Sequence, residues 1–265
     1  MKKVLLLFIY FITFQGYSQK DSIVNYLGRK GVVIKDKSKA TAFEIITKKN
    51  DTLWLTRRFR RNGKMFAYWH TSDRGRENKI GESILLNNLG KVSTMYFYNN
   101  KGKKHGRYIS WFDNSKRNTE GLFLNGSKEG VWKYYRFNGS IASRVFYKKD
   151  SVVKKYFYNE KGMMIDYDEN FCGVKAKFKG GEKKFNSKVQ NIVDNLGYKL
   201  KGKVFVSFNV DINGRITNVR IDEKLPKKLE ARIISFFEKI EGWEPALHMN
   251  RKIPVNFSIA LNFRE

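Results

Sequence analysis

Few residues in this chain could carry catalytic or metal chemistry. Cys172 is the only cysteine, and the only histidines are His70, His105 and His248. A reactive thiol needs a base beside it, and a metal site needs several ligands at characteristic spacing. Neither spacing is present, and no serine elbow or phosphate-binding glycine loop accompanies them. We therefore predict a non-enzymatic protein without a cofactor or metal, with structural or surface histidines and a buried cysteine.

The second chemical feature is a large positive charge. The chain has 53 Lys and Arg residues against 25 Asp and Glu, a formal net charge of +28. Such an excess can attract nucleic acid or other polyanions, but lysines spread over solvated surfaces need no partner. The basic residues are dispersed along this sequence, which favours solubility. The alternative is attraction to an anionic surface of the cell envelope, and we predict no nucleic-acid partner.

Residues 1–18 have the composition of an export signal. Two lysines precede an apolar stretch over residues 4–14, and Gly16 and Ser18 supply small residues at the expected cleavage positions. The stretch is shorter than the ~20 apolar residues that span a membrane. We predict a cleaved signal peptide and a periplasmic or envelope location. The alternative is an uncleaved inner-membrane anchor formed by residues 4–14.

Residues 19–170 predict an antiparallel sheet of repeated hairpins. Short runs rich in β-branched and aromatic residues are bounded by Asn-Gly, Lys-Gly and similar turn pairs, and none has a helical period. Segment 105–112 aligns with 129–135, and segment 135–139 aligns with 158–162, at offsets of 23 to 24 residues. Hairpins of this kind must stack on their neighbours to bury their faces.

The hairpin pattern is similar to degenerate MORN-type repeats. Five glycines are expected at turn positions in these repeats, namely Gly106, Gly121, Gly126, Gly130 and Gly139. Aromatic residues at period two are typical of a packed face. We interpret the region as a scaffold, and the alternative is a platform that binds a small molecule or a lipid.

Residues 171–265 have the pattern of a small α+β domain, and the acidic segment 166–169 marks its boundary with the repeats. Phe185, Val189 and Val193 belong to an apolar stripe on a helix over about residues 182–196. Alternating apolar residues predict a strand over 204–210, and a turn at 211–214 and a return strand over 216–221 complete a hairpin.

A second helix and a last strand follow this hairpin. Leu229, Ile233 and Ile240 form the next helical stripe, with Pro226 at its start and a glycine at its end. The connector 243–246 places an indole that we expect to pack under the sheet. Apolar residues then alternate from Ile253 to Phe263 as the final strand.

The motifs of residues 178–263 together resemble the C-terminal domain of the TonB family of energy transducers. They are the Phe-x-Gly-Gly start at Phe178, the Gly-Lys-Val-x-Val-x-Phe-x-Val-Asp-x-x-Gly block over 202–214, the Trp-x-Pro-Ala connector over 243–246, the basic stretch 250–252 and the last strand. The resemblance implies an α+β fold with two helices and a three-stranded antiparallel sheet. It departs from the family where Lys199 follows Tyr198 in place of a proline.

The resemblance also implies a binding mechanism without catalysis. An extended segment of an outer-membrane receptor or other envelope partner would add as a strand to the last strand of this domain. That strand would place Lys252, Val255, Phe257 and Ile259 near the added segment. The same edge could instead pair with itself in a dimer or be capped by the repeats.

Two functions follow from these expectations. The first is a TonB-like envelope protein that binds a receptor segment, in energy-coupled transport if an inner-membrane anchor is retained. The alternative is an envelope scaffold or anionic-surface-binding repeat protein with no energy coupling. The β-repeats stand where the family has a long Pro-rich spacer, which puts coupling to an inner-membrane motor in doubt.

Overall fold

The computed structural model describes residues 22–75, 77–166, 173–198 and 202–263. Over these ranges the chain forms one long antiparallel sheet followed by a small α+β unit. The predicted signal peptide, Cys172 and most of the acidic boundary segment lie outside the described residues. None of the helices in the described ranges is long and apolar enough to cross a membrane.

Thirteen of the described strands form a single sheet, here called the repeat sheet. Each strand pairs antiparallel with its sequence neighbour, except that β1 lies between β2 and β3. The strands are β1 (Ser22–Leu27), β2 (Val33–Ile34), β3 (Ala42–Asn50), β4 (Leu53–Arg60), β5 (Met65–Thr71), β6 (Lys79–Leu86), β7 (Val92–Tyr98), β8 (Gly106–Trp111), β9 (Arg117–Leu124), β10 (Ser127–Tyr135), β11 (Ile141–Lys148), β12 (Ser151–Tyr158) and β13 (Met164–Ile165).

A single turn geometry recurs along one end of the repeat sheet. In the turn of residues 87–91, for example, the N–H of Asn87 donates to the carbonyl of Lys91 at 2.8 Å. The N–H of Gly90, the fourth residue, donates to the carbonyl of Asn87 at 3.0 Å. The fourth residue adopts a positive φ, which glycine accepts at little cost. This position is occupied by Gly63, Gly90, Ser115, Gly139 and Gly162, and the last four are spaced by 23 to 25 residues. The predicted repeat period is thus confirmed, whereas the relation to MORN-type repeats stays a prediction.

Aromatic rings line one face of the repeat sheet, here called the aromatic face. Tyr108 stacks on Trp132 with centroids 5.2 Å apart, and Phe123 meets the same indole edge to face at 5.0 Å. Gly121 lies on β9, the strand next to the one that carries Trp132, and a Cβ at Gly121 would come within 2.2 Å of the indole. This glycine makes room for the ring.

The placement of several glycines corrects the sequence prediction. Gly126 and Gly139 lie in turns as expected, but Gly121 and Gly130 lie inside β9 and β10, and Gly106 is the first residue of β8. Gly130 has a φ of 65° next to a register shift between β9 and β10, so it serves a β-bulge. Turn residues and bulge residues are both glycine-rich, and the sequence alone does not separate them.

The second region, here called the C-terminal unit, has the predicted two helices and a three-stranded antiparallel sheet. Its elements are β14 (Lys177–Phe178), α1 (Gly181–Asp194), β15 (Gly202–Val210), β16 (Ile216–Ile221), α2 (Lys227–Glu238), β17 (Trp243–Glu244), β18 (Ala246–Leu247), β19 (Lys252–Ile253) and β20 (Val255–Phe263). The main sheet has the order β16-β15-β20, and β14 pairs with β17 and β18 with β19.

The core of the C-terminal unit lies between the two helices and the main sheet. Phe208, Ile233 and Phe237 are fully buried at its centre. The Trp243 indole packs against Phe257 at 4.7 Å, which confirms the predicted place of the connector under the sheet. Burial of alternate β15 residues follows the apolar pattern from which that strand was predicted.

The last strand is shorter than the sequence predicted. The alternating pattern placed its start at Ile253, but Ile253 and Lys252 form β19 and pair with β18. Pro254 separates β19 from β20 because proline has no N–H to donate to a ladder. The alternation of apolar residues continues across the proline, which is why the break was missed.

The hairpin formed by β18, residues 248–251 and β19, here called the docking hairpin, joins the C-terminal unit to the aromatic face. Its tip turns through Met249 and Asn250, whose φ values are 51° and 60°, while the His248 N–H donates to the Arg251 carbonyl. The Ser143 hydroxyl donates to the Met249 carbonyl at 3.2 Å, and the Asn250 amide donates to the Tyr158 carbonyl at 3.0 Å. These bonds fix the tip against β11 and β12.

Candidate partner-binding edge

Strand β20 lies at one edge of the main sheet of the C-terminal unit. It pairs with β15 along its whole length, from the Gly202–Phe263 pair to the Val210–Val255 pair. Among the strands that the structure describes, none pairs with its other side. An edge of this kind presents backbone N–H and C=O groups that an extended segment of another chain can bind.

Apolar side chains of β20 hold this edge strand against the core of the C-terminal unit. Leu261 and Phe263 are buried in the core, and Phe257 stacks on Phe208 with centroids 5.6 Å apart. The alternate residues Asn256 and Ser258 are exposed. A strand held by its apolar face keeps its backbone in place for pairing.

The predicted partner-binding residues are divided between two elements. Val255, Phe257 and Ile259 lie on β20 and are half-buried, with Phe257 and Ile259 packed against the core. Lys252 is exposed but lies on β19 in the docking hairpin. Phe257 and Ile259 therefore anchor the edge strand to the core of the unit. A partner would chiefly contact the backbone of β20.

The repeat sheet reaches one face of the main sheet. The Arg29 guanidinium lies 3.0 Å from the centroid of the Phe205 ring and donates to the Ser258 hydroxyl at 3.5 Å. This face is the one opposite the helices, since Phe208 and Phe257 point to the other side. The contact covers part of the polar face of β20 and makes no backbone ladder with its edge.

Two comparisons with known proteins bear on this unit. Residues 198–264 match the family model for the C-terminal domain of Gram-negative bacterial TonB proteins. No curated protein matches the chain. The C-terminal unit is therefore similar to a domain that binds other proteins and is not itself catalytic. The match confirms the TonB-like resemblance over these residues, and the preceding segment from Phe178 rests on its sequence motif alone.

A second site, which the sequence analysis missed, lies between the docking hairpin and the aromatic face. It is a cavity of about 340 Å³, here called the basic groove, whose basic residues are Lys104, Lys128, His248 and Arg251. The Lys104 ammonium lies 4.3 Å from the centroid of the Tyr96 ring, and the Lys128 ammonium lies 4.6 Å from that of Trp132.

The two lysines of the groove, together with Lys79 outside it, follow the repeat period. Lys79, Lys104 and Lys128 each place an ammonium over an aromatic ring, and they are 24 to 25 residues apart. That spacing was the signal in the sequence that could have identified them. It was overlooked because lysines are so frequent elsewhere in the chain.

Arg251 is the most buried cation of the groove, with only 5% of its surface exposed. Its guanidinium donates to the Asn118 side chain, to the Tyr135 carbonyl at 2.8 Å and to the Thr119 hydroxyl at 3.1 Å. Burial lowers the pKa of Arg251 to about 10, so the group remains charged at neutral pH.

The neighbouring titratable groups are shifted by the same burial. Burial, followed by the charges of Arg251 and Lys128, lowers the pKa of His248 below its usual range. Burial also raises the pKa of Tyr96 to about 12. The hydroxyls of Tyr134 and Tyr147 lie 3.1 Å apart, and burial and this bond raise the pKa of Tyr134. Tyr96 and Tyr134 are therefore neutral at neutral pH, whereas Arg251 is charged.

Proposed function

We propose that this chain is a TonB-like envelope protein whose C-terminal unit binds an extended segment of an envelope partner, in the first place an outer-membrane receptor, by strand addition to β20. The observation that carries the proposal is the edge of β20, to which no strand in the described part of the chain is paired. The similarity of residues 198–264 to TonB C-terminal domains supports the same conclusion.

The physical basis of the binding is the backbone ladder. A nine-residue strand offers its unpaired amides and carbonyls at alternate positions, and an added segment would satisfy them. Lys252, exposed just before the strand, would attract an acidic segment and raise its association rate. Sequence preference would then come from side chains next to the ladder.

The proposal is tested by hydrogen exchange and photo-cross-linking in the producing cells. A photoreactive amino acid is placed at Asn256 or Asn262 on β20, and at Asn186 on the exposed side of α1 as the matched control. We expect the β20 positions to cross-link an extended segment of an outer-membrane receptor. With that segment added as a peptide, alternate amides of β20 should exchange more slowly.

Three results would contradict strand addition of a receptor segment. Equal cross-linking from Asn186 would show that the edge is not preferred. Cross-links from β20 only to other copies of this chain would show that the edge closes a dimer. A uniform slowing of exchange along β20, without alternation, would indicate stabilisation of the whole unit in place of a new ladder.

A second candidate is an envelope scaffold without energy coupling. The docking hairpin favours this candidate, because hydrogen bonds from Arg251 hold the C-terminal unit against the repeat sheet. In a conventional transducer an extended spacer would separate the domain from the rest of the chain. The N-terminal sequence and membrane fraction of the native protein separate the two. A chain that begins at Gln19 outside the inner membrane supports the scaffold or an uncoupled adaptor. An intact N-terminus in the inner membrane supports energy transduction.

A further inference from the structure

The basic groove brings together four basic side chains, of two lysines, one arginine and one histidine, from three parts of the sequence. Lys104 precedes β8, Lys128 lies on β10, and His248 and Arg251 lie at the tip of the docking hairpin. The groove exists only because the hairpin packs on the aromatic face. The groove is a separate feature from the edge of β20, although its lining residues Ile253 and Pro254 directly precede that strand.

The described residues that line the groove include no aspartate or glutamate. The three bonds of Arg251 all go to neutral oxygens, and its Nε has no hydrogen-bond partner among the described atoms. A buried cation without a paired carboxylate costs free energy. An anionic ligand in the groove would supply the missing counter-charge.

The cations of the groove also act on one another. Burial is the main cause that lowers the pKa of Lys104, and the charge of Lys128 adds to it. The charges of Lys128 and Arg251 likewise lower the pKa of His248. Asp150, in the turn between β11 and β12 and not among the lining residues, accepts the backbone N–H of Lys128, and that bond, with the charge of Lys128 adding to it, lowers the pKa of this carboxylate. Mutual repulsion of this kind is relieved when an anion binds between the cations.

Aromatic rings hold the two ammonium groups without neutralising them. The Lys104 ammonium lies over Tyr96 and at 5.2 Å from the Phe123 centroid, and that of Lys128 lies over Trp132 and at 4.8 Å from the Tyr147 centroid. Cation–π contacts orient a cation, but they leave its charge available to a ligand. The two lysines are therefore positioned before a ligand arrives.

The size and lining of the groove limit the ligand. A volume of about 340 Å³ is near the lower end of small-molecule sites, which suits one small molecule or one terminal group. Ile253 and Pro254 add an apolar wall beside the cations. Two lysine charges match a dianion, whereas a single carboxylate would leave one of them unpaired.

We propose that the basic groove binds a small organic phosphate, with Lys104 and Lys128 contacting the phosphate group. Arg251 contributes charge from behind, the neutral His248 imidazole lines the groove beside it, and the apolar wall contacts the organic part. The phosphate could belong to a soluble metabolite or to the head group of a lipid. These two sources share one chemistry and are distinguished by the experiment.

The test uses the full mature chain and calorimetric titration with inorganic phosphate, glycerol 3-phosphate and, as an uncharged probe, glycerol. The double variant Lys104→Met/Lys128→Met keeps the apolar stems and removes both charges. The control is Lys154→Met/Lys161→Met, which also removes two charges. Lys154 lies over Tyr156 away from the groove, and Lys161 is exposed in a turn.

We expect the phosphate probes, and not glycerol, to bind the native chain and the control. The groove variant should bind them about a hundredfold more weakly, about tenfold for each charged hydrogen bond lost. Equal weakening in the control, or no weakening in the groove variant, would overturn the proposal because total charge would then explain the binding.

Vesicles that contain phosphatidic acid form the second arm. Binding to these vesicles that is lost in the groove variant and kept in the control, without binding of glycerol 3-phosphate, would assign the phosphate to a lipid head group. Binding of the soluble monoester assigns it to a soluble ligand. If neither probe binds in a manner that depends on Lys104 and Lys128, the groove is not a phosphate site.

Discussion

The C-terminal unit and the repeat sheet bury their apolar side chains in different ways. The C-terminal unit places two helices on a three-stranded sheet and encloses a core of seventeen buried residues. The repeat sheet has thirteen strands, but its largest buried cluster consists of Trp132, Tyr134, Val145 and Tyr147. The other buried side chains of the repeat sheet, such as Ile46 and Ile84, lie along its strands.

This difference in burial means that different interactions stabilise the C-terminal unit and the repeat sheet. A closed core is stabilised by the burial of apolar surface, at roughly 25 cal/mol for each Å² removed from water. A single sheet must instead rely on ladders, cross-strand ring pairs and the stems of lysines that lie over rings. The docking hairpin packs on the aromatic face, and Arg29, Asn88 and Asp113 make further contacts with the C-terminal unit. Changes in the two regions should therefore have different consequences.

The largest effect is expected at the centre of the C-terminal core. Phe208 is fully buried and contacts the rings of Phe185, Phe237 and Phe257. Phe208→Ala should lower the free energy of unfolding of this unit by about 3–5 kcal/mol, since it removes a large side chain and leaves a cavity. Denaturant unfolding followed by region-specific hydrogen exchange measures the loss.

The control for this prediction is Phe137→Ala, at an exposed turn of the repeat sheet, which should change stability by less than about 1 kcal/mol. Hydrogen exchange should rise in α1, α2 and β15 of the Phe208 variant and stay unchanged in β3 to β7. An equal rise in those distant strands would show that the two regions unfold as one unit.

The next effect concerns the contact between the regions. Arg251→Met removes three hydrogen bonds to the repeat sheet and leaves the Tyr135 carbonyl and the Thr119 hydroxyl without their donor. We expect a loss of about 3 kcal/mol in the stability of the docked arrangement, near 1 kcal/mol for each bond. Amide exchange in β9 and β10 should rise, while the C-terminal core keeps its protection.

Lys252→Met tests whether that loss is specific. Lys252 follows Arg251 in the chain and is exposed, so its replacement should change stability by no more than about 0.5 kcal/mol. If both variants lose the same stability, the charge of the hairpin matters and the buried hydrogen bonds do not.

A smaller effect is expected inside the repeat sheet. Gly121→Ala places a Cβ within 2.2 Å of the Trp132 ring and should cost about 2 kcal/mol through overpacking. The double variant Gly121→Ala/Trp132→Leu should lose less than the sum of the two single changes, because the alanine then has no indole to meet. Additive losses would show that the close approach to the indole does not constrain this site.

The smallest effect is a dependence on pH at the docking hairpin. The folded pKa of His248 is depressed by burial and by Arg251 and Lys128, so near its unfolded pKa of about 6.5 the folded chain binds fewer protons. The free energy of unfolding should then fall as pH is lowered through that value, because protonation of His248 is disfavoured in the folded chain. The loss levels off below the folded pKa.

The variant His248→Gln isolates this dependence. His70 and His105 remain in both chains, so the difference between their unfolding free energies at about pH 7.5 and about pH 5.5 reports His248 alone. Identical pH profiles would show that the imidazole titrates as it does in water. A stability that increased on acidification would show that His248 gains a partner for its proton.

Local patterns were sufficient to predict most elements of the C-terminal unit. The helical stripe through Phe185 and the alternation along β15 each report burial directly, because side chains repeat every 3.6 or every two residues. The same rule missed the break at Pro254, where alternation continued although the ladder did not. It also placed Gly121 in a turn, because the partner that requires a glycine there lies on another strand.

The sequence by itself determined the period of the repeats, the order of the helices and strands, and the TonB-like character of residues 198–264, since these depend on local spacing. Only the tertiary structure decided that the tip of a hairpin at residues 248–251 meets lysines more than a hundred residues earlier. The same lysines are dispersed in the sequence and converge at one cavity. A sequence records which charges a chain carries, and the fold decides which of them face each other.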